Sequence, residues 1–221
     1  MPTPTWASQL INLGAALLLL SSFAMLSQRR ILSLVNLFAL QGAVLSASTA
    51  IVAHTSGATH LYASALLSLI LKVIVLPWIL HRLIARLNVR WDTETQLNIP
   101  ATMLVGIVVV VFAFALAQPI AQLSATVTRS TLGIALAVVL LSFLMMITRR
   151  KAVSQVIGFL AMENGLFFAA TSATYGMPMV VELGVALDVL VGTLILGVFF
   201  FQIREQFDSL DLHHIEQLRE D

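Results

Sequence analysis

Residues 61–83 read LYASALLSLILKVIVLPWILHRL, an apolar run that is interrupted by one charged residue, Lys72, before it ends at Arg82. The run is long enough to cross a bilayer, which takes about 20 residues of helix. At a rise of about 1.5 Å per residue, Lys72 lies about 16 Å into the run, near the middle of the membrane. A charged side chain there costs about 2.5–3.5 kcal/mol on insertion scales and usually serves a function. The run therefore predicts a transmembrane helix with a functional ionisable residue.

Similar apolar runs continue on both sides of this one. The predicted spans are residues 6–26, 31–53, 61–83, 100–117, 129–148, 153–175 and 179–203. Composition agrees, because 59% of the 221 residues are apolar and 10% are charged, whereas soluble domains carry about 25% charged residues. No positive segment precedes the first run, so we predict that it is a retained span and not a cleaved signal peptide. The fold class is therefore all-α, a polytopic membrane protein of about seven transmembrane helices.

The basic residues follow the odd-numbered spans. Of the 12 lysines and arginines, ten lie on one side of a seven-span path, and the exceptions are Arg129 and the intramembrane Lys72. The positive-inside rule then predicts an outer N-terminus and a cytoplasmic C-terminus. The net charge of +1 does not indicate nucleic-acid binding. The chain has no cysteine, which excludes thiolate-held iron–sulfur clusters, so any redox chemistry must belong to a partner protein.

The spans divide the chain into four parts. Residues 1–90 are predicted to form a three-helix transmembrane half, and residues 91–127 an inner loop with a linking helix. Residues 128–203 form a second three-helix half, and residues 204–221 an amphipathic cytoplasmic tail.

The two halves share a faint pattern. Arg29-Arg30 precede a span with Gln41-Gly42, and Arg149-Arg150 precede one with Asn164-Gly165. The next span of each half has a central ionisable residue. Parallel repeats of this kind occur in transporters, and a true repeat and a chance similarity are equally compatible with these few residues.

Ionisable residues lie at similar predicted depths in three spans. Lys72, Glu163 and Asp188 are each about 14–16 Å into their helices, and Glu182 is about 5 Å into the seventh, where protons would enter or leave. Burial disfavours the charged form of such groups and an opposite charge favours it, so a buried set of acids and bases exchanges protons as hydration changes. We predict that Lys72, Glu163, Asp188 and Glu182 form a proton path.

Four further residues are predicted to support this path: Pro77, Asn164, Gly184 and Gly192. Pro77 removes the backbone hydrogen bond to the carbonyl of Val73 and is expected to kink the third span. Asn164 places an amide beside Glu163, which suits a hydrated pocket. The two glycines lie four residues before and after Asp188 on one helix face, where small residues let a neighbouring helix approach.

Simpler interpretations remain open for these residues. Lys72 would also suit a static pair with Glu163 or Asp188 that holds helices together, and Glu182 is near enough to the surface to be solvated. His54, His60 and His81 lie at span edges, which favours interfacial positions over metal ligation. We predict no catalytic residue, no metal site and no cofactor in this chain.

Motifs across most of the chain resemble the hydrogenase-4 component E family, a membrane subunit of complex-I-like energy-converting hydrogenases and formate hydrogenlyases. The matching segments are Leu71-Lys72-Val73, Leu76-Pro77, Gly158, Met162-Glu163-Asn164-Gly165, and Val181-Glu182-Leu183-Gly184 with Asp188. The resemblance implies a non-redox subunit of an oxidoreductase complex in the bacterial inner membrane. It implies antiporter-like membrane subunits and hydrogenase subunits as partners.

The C-terminal part, about residues 130–221, is also similar to the small three-helix subunit of complex I (NuoK) and its counterpart in Mrp antiporters. That subunit carries an intramembrane glutamate in each of its last two helices. Asp188 matches the second, whereas Leu160 stands at the first and Glu163 follows about one turn later. The resemblance implies a proton-conducting module, although the residues do not distinguish protons from sodium ions. A structural scaffold subunit and a stand-alone secondary transporter are the alternatives.

Overall fold

The apolar runs form helices, because in hydrocarbon every backbone polar group has to be bonded within its own segment. The computed structural model describes residues 6–57, 59–87, 98–123, 129–174 and 192, and all regular elements within these ranges are helical. The helices are α1 (Trp6–Ser27), α2 (Ile31–Ser56), α3 (Thr59–Leu69), a π-helical turn (Ile70–Val75), α4 (Leu76–Leu87), α5 (Ile99–Leu123), α6 (Arg129–Thr148) and α7 (Ala152–Thr174). They all belong to one compact unit, Met1–Val185, and Gly192 belongs to a second unit, Ala186–Asp221.

Six helical segments in these ranges are long and apolar enough to cross a membrane. They are Trp6–Ser27, Ile31–Ser56, Leu61–Ala85, Ile99–Pro119, Thr131–Thr148 and Ala152–Thr171. The first six predicted spans are therefore confirmed to within a few residues at each end. The predicted seventh span, residues 179–203, lies outside the described residues apart from Gly192. The seven-helix count, the orientation, the four-part division and the internal repeat remain predictions.

Local sequence explains where two of the helices begin and end. α2 stops at Gly57, whose φ of 66° lies in the left-handed region that glycine adopts at no steric cost. α5 begins at Ile99, with Pro100 in its first turn. Backbone amides of a first turn have no acceptor within the helix, so the missing N–H of proline costs no hydrogen bond there. The amide of Thr102 donates to the carbonyl of Asn98 at 2.9 Å, which is the first hydrogen bond of this helix.

The helices pack into a bundle with α2 in its interior. α2 packs against α1, α3, α4 and α7, while α6 packs against α1, α5 and α7. Leu18, Leu45, Leu61, Val138 and Phe168 belong to one fully buried cluster that joins α1, α2, α3, α6 and α7. This cluster forms the core of the bundle.

α5 lies at the edge of the bundle. It packs against α6 and α1, and its other large apolar side chains, including Leu104, Val108, Val111 and Phe112, are exposed. An exposed apolar helix face suits a lipid environment. Lipid tails are as apolar as these side chains, so leaving the face in contact with lipid costs no hydrophobic free energy.

The third span has an irregularity that differs from the predicted kink. The irregularity is the π-helical turn Ile70–Val75, in which the amide of Leu76 donates to the carbonyl of Leu71. Pro77 directly follows this turn, so the change in hydrogen bonding begins earlier than the sequence suggested. π turns frequently occur at functional sites in helices, and this one contains Lys72.

Candidate functional site

Lys72 and Glu163 lie in the interior of the bundle, as their central positions in two predicted spans suggested. Lys72 is 1% exposed and Glu163 is 3% exposed. Lys72 comes from the π-helical turn of the third span, and Glu163 comes from the middle of α7. Both charges are therefore withdrawn from solvent, and each needs a partner to offset its desolvation.

The two side chains form an ion pair. Nζ of Lys72 donates to Oε1 of Glu163 at 3.1 Å and to Oδ1 of Asn164 at 2.9 Å. The ammonium is thus shared between a carboxylate and the neutral amide next to it in the sequence. A separation of 3.1 Å between nitrogen and oxygen also lies within the range for direct proton transfer, about 2.6–3.2 Å.

An aromatic ring completes the surroundings of the ammonium. Nζ of Lys72 lies 5.6 Å from the centroid of the Phe167 ring, within the range of a cation–π interaction. Phe167 follows Glu163 by four residues and therefore shares its helix face. Sequence reasoning missed Phe167, although this spacing would have identified it once Glu163 was chosen.

Lys72 also approaches the backbone of α2 closely. A Cβ atom built on Gly42 would lie 2.8 Å from Cβ of Lys72 and 3.4 Å from its carbonyl carbon and oxygen. No side chain fits at that position without displacement. Gly42 therefore lets the π-helical turn pack directly against α2, which sets the position of Lys72 relative to α7.

The amide nitrogen of Asn164 marks a polar position beside the pair. Nδ2 of Asn164 is buried and has no hydrogen-bond partner within the described part of the chain. Oδ1 of the same amide is held by Lys72. Buried polar atoms of this kind are commonly bonded to ordered water, so the arrangement suits the hydrated pocket predicted next to Glu163.

The other predicted site residues are only partly covered. Pro77 lies at the start of α4, where its carbonyl is 2.7 Å from Nδ1 of His81. Glu182, Gly184 and Asp188 lie outside the described residues, and Gly192 is described by itself. The structure thus brings together Lys72, Glu163 and Asn164, while the rest of the predicted path remains a prediction.

Arg149 has a role that sequence reasoning missed. It is buried, and its Nη2 donates to the backbone carbonyls of Met25 at 3.3 Å, of Leu26 at 3.1 Å and of Gln28. These carbonyls end α1, where a cation offsets the partial negative charge of the helix terminus. Nothing in the sequence distinguishes Arg149 from the exposed Arg150 beside it.

The described residues contain no group of three or more histidine, aspartate or glutamate side chains that could hold a metal ion. The polar groups at the site are an ammonium, a carboxylate and an amide. Such a set can hold and exchange a proton, or it can serve as a buried link between two helices.

Comparison with known proteins places the chain among bacterial relatives. No protein-family model matches it, and no solved structure matches it. It is 34% identical to the uncharacterized protein Rv0085 of Mycobacterium tuberculosis, over 96% of this chain and 97% of that one. It is 26% identical to hydrogenase-4 component E of Escherichia coli and of Shigella flexneri, over 96% of this chain and 98% of theirs. Because these similarities extend over nearly the whole length of each protein, the chain belongs to the same family as Rv0085 and is a distant relative of hydrogenase-4 component E.

Proposed function

We propose that this chain is a membrane subunit of a hydrogenase complex, and that Lys72, Glu163 and Asn164 form the centre of a proton path through it. The observation that carries the proposal is the buried ion pair between Lys72 and Glu163 at 3.1 Å, in helices apolar enough to cross a membrane. The full-length similarity to proteins named hydrogenase-4 component E supports the assignment to such a complex.

The geometry suggests how the pair handles a proton. In the charged form, the ammonium of Lys72 is held by the carboxylate of Glu163 and the amide oxygen of Asn164. Transfer of one proton from Nζ to Oε1 gives a neutral amine and a carboxylic acid, and total charge is conserved. A nearby charge or water shifts the balance between these forms, because desolvation and Coulomb attraction act in opposite directions on them. Alternation between the two forms would move a proton from one side of the pair to the other.

The proposal extends to the C-terminal part of the chain. We propose that Asp188 and Glu182 continue the path in a seventh span, with Gly184 and Gly192 beside Asp188. The N-terminus lies outside and the C-terminus in the cytoplasm of a bacterial inner membrane. The partners are antiporter-like membrane subunits, and hydrogenase subunits carry out the redox reaction at the cytoplasmic side.

A static scaffold is the competing proposal, and the same ion pair supports it. Lys72 and Glu163 connect the third span to α7, and removing one partner from a buried pair is strongly destabilising. If the pair is only a link, its replacement by two neutral side chains leaves the function of an assembled complex intact.

A three-variant experiment separates the two proposals. Lys72→Met, Glu163→Gln and the double variant are produced in the native complex, and Arg150→Gln serves as a control at an exposed charge. Assembly is measured by co-purification of the partner subunits. Proton translocation is measured as acidification of inverted membrane vesicles during turnover, per assembled complex.

For a proton path, the double variant assembles better than either single variant yet translocates at less than about a tenth of the wild-type rate, a loss that corresponds to about 1.4 kcal/mol or more of barrier. Translocation at the wild-type rate by an assembled double variant would contradict the proton-path proposal and support the scaffold proposal. Failure to co-purify any hydrogenase subunit with the wild-type chain would contradict the assignment to a complex.

A further inference from the structure

Lys72 has unlike neighbours in the two directions along its helix. Ser64 and Ser68 precede it at four-residue spacing and share its face, and all three side chains are buried. In the other direction the buried positions are Leu76, Pro77, Leu80, Leu83 and Ile84. One side of Lys72 thus offers hydroxyl groups, and the other offers only aliphatic side chains.

The facing side of α2 repeats this asymmetry. The close approach of Gly42 to Lys72 sets the register, and the presence of Ala53 and Leu61 in one buried cluster agrees with it. The members of each pair are equally far along the chain from Gly57, where the helical hairpin turns. The same register places Ser46 opposite Ser68, and Thr49, one turn further on, faces the level of Ser64.

Between Lys72 and the Gly57 end, the helices therefore enclose a seam with four buried hydroxyl residues. We refer to Ser46, Thr49, Ser64 and Ser68 as the hydroxyl seam. On the opposite side of Lys72, the register pairs α2 with α4 through apolar residues alone. These residues are Phe38 with Leu76, Leu34 with Leu80, and Ile31 with Leu83, all of them buried.

One hydroxyl of the seam, that of Ser68, has unmet hydrogen-bonding capacity, which points to bound water. The hydroxyl of Ser46 donates to the carbonyl of Gly42 at 2.8 Å, and that of Thr49 donates to Leu45 at 2.9 Å. Oγ of Ser68, by contrast, is buried with no hydrogen-bond partner among the described residues, as is Nδ2 of Asn164 beside the ion pair. A buried polar atom without a protein partner is commonly satisfied by ordered water.

We propose that the hydroxyl seam is a one-sided water path that connects Lys72 with the Gly57 end of the bundle and admits protons from that end only. This inference rests on the proposed function, because it gives the proton at Lys72 its route. The positive-inside rule predicts the Gly57 end to be the outer one. The apolar layers that α2 and α4 form between Lys72 and the arginine end, marked by Arg149 and Arg150, then oppose a leak toward the cytoplasm between these two helices.

The path is closed at rest by one thin layer. Leu61 and Ala53 are fully buried and lie between the hydroxyl seam and Gly57. Leu61 is one helical turn from Ser64, a thickness of about 5 Å, whereas the apolar layers from Leu76 to Leu83 extend over about 10 Å. Opening of the Leu61 layer is therefore the smaller change and governs access.

The chain has no cysteine, so single cysteines can report access directly. Ser68→Cys and Ser64→Cys test the hydroxyl seam, and Leu76→Cys and Leu80→Cys are controls equally far from Lys72 on the apolar side. Ser56→Cys and Arg150→Cys, both at exposed positions, mark the two ends. Silver ions are applied to each face of sealed vesicles that hold the whole complex, and the remaining thiols are then labelled in denaturant.

The expected result is that Ser64→Cys and Ser68→Cys react only from the face that also modifies Ser56→Cys. Their rates should exceed those of Leu76→Cys and Leu80→Cys by about tenfold or more, the effect of about 1.4 kcal/mol of barrier. Leu61→Ala should raise the rate at Ser68→Cys further. Equal rates at Ser68→Cys and Leu76→Cys, or reaction from the Arg150 face, would overturn the proposal.

Removal of hydroxyl groups gives a second readout. The double variant Ser46→Ala/Ser68→Ala should translocate protons about tenfold more slowly per assembled complex. Ser142→Ala should not, although Ser142 is likewise buried without a hydrogen-bond partner among the described residues. If Lys72→Met translocates protons slowly but the double serine variant translocates at the wild-type rate, the proposed water path is wrong and the proposed function stands. If Lys72→Met translocates normally, the proposed function itself fails.

Discussion

Nζ of Lys72 and Oε1 of Glu163 lie 3.1 Å apart, although the two residues are 91 positions apart in the chain. The contact joins the π-helical turn of the third span to the middle of α7. Both side chains are buried, so the pair is shielded from bulk water and the cost of separating the charges is large.

Lys72→Met alone should lower the free energy of unfolding by about 3–5 kcal/mol, because it leaves the carboxylate of Glu163 buried without its counter-ion. The double variant Lys72→Met/Glu163→Gln should recover more than half of that loss, since no charge remains to be desolvated. The measurement is unfolding by sodium dodecyl sulfate in mixed micelles, followed by circular dichroism. Additive effects of the two substitutions would show that the side chains are not coupled.

Gly42→Ala should destabilise the protein by about 1–3 kcal/mol, the usual cost of overpacking an interior. The added Cβ would lie 2.8 Å from Cβ of Lys72 and 3.4 Å from the carbonyl carbon and oxygen of Lys72. These atoms of Lys72 cannot move away without shifting the π-helical turn. The same unfolding measurement gives the stability. Proton translocation per assembled complex should fall as well, because the shift moves Nζ away from Glu163.

Gly14→Ala is the matched control for this prediction. The atom that its Cβ would meet is Oγ of Ser48, the end of a short side chain that can rotate away. Its effect on stability should be less than about 1 kcal/mol. Equal destabilisation by the two alanine substitutions would refute the argument from the backbone of Lys72.

Arg149→Ala should destabilise the packing of α1 against α6 by about 2 kcal/mol or more, since hydrogen bonds from a charged donor each contribute about 1.5–3 kcal/mol. The guanidinium holds the carbonyls of Met25, Leu26 and Gln28 at the end of α1. Trypsin cleavage between α1 and α2 in detergent should become faster. Arg150→Ala, at the exposed neighbouring position, should leave both stability and cleavage close to wild type.

Arg149→Lys sharpens this test. A lysine keeps the positive charge near the helix terminus but has no planar fork of donors. If the contribution were only the attraction between a charge and the helix end, lysine would restore full stability. We expect it to restore less than half, because an ammonium is more strongly hydrated than a guanidinium and its more flexible stem is less well pre-organised, so burying it beside these carbonyls costs more.

Sequence reasoning identified the two charged members of the site and the amide beside Glu163. Their signal was local: an ionisable residue at the centre of a long apolar run is costly anywhere in hydrocarbon. The partner of Lys72 was left open between Glu163 and Asp188, and the structure joins it to Glu163 and Asn164. Phe167 and the hydroxyl seam were not predicted, since serine, threonine and phenylalanine are ordinary residues in membrane helices.

The sequence by itself determined where six helices run and that Lys72 and Glu163 lie near the middle of two of them. Those properties depend on residues that are neighbours in the chain, through the hydrocarbon length and the helical rise. Only the tertiary structure decided that Lys72 meets Glu163, that Arg149 and not Arg150 is buried, and that hydroxyl groups line one side of Lys72. These facts depend on how the helices are rotated and shifted against one another. That arrangement is set by contacts between distant residues, such as Gly42 with Lys72, which have no signature in hydropathy.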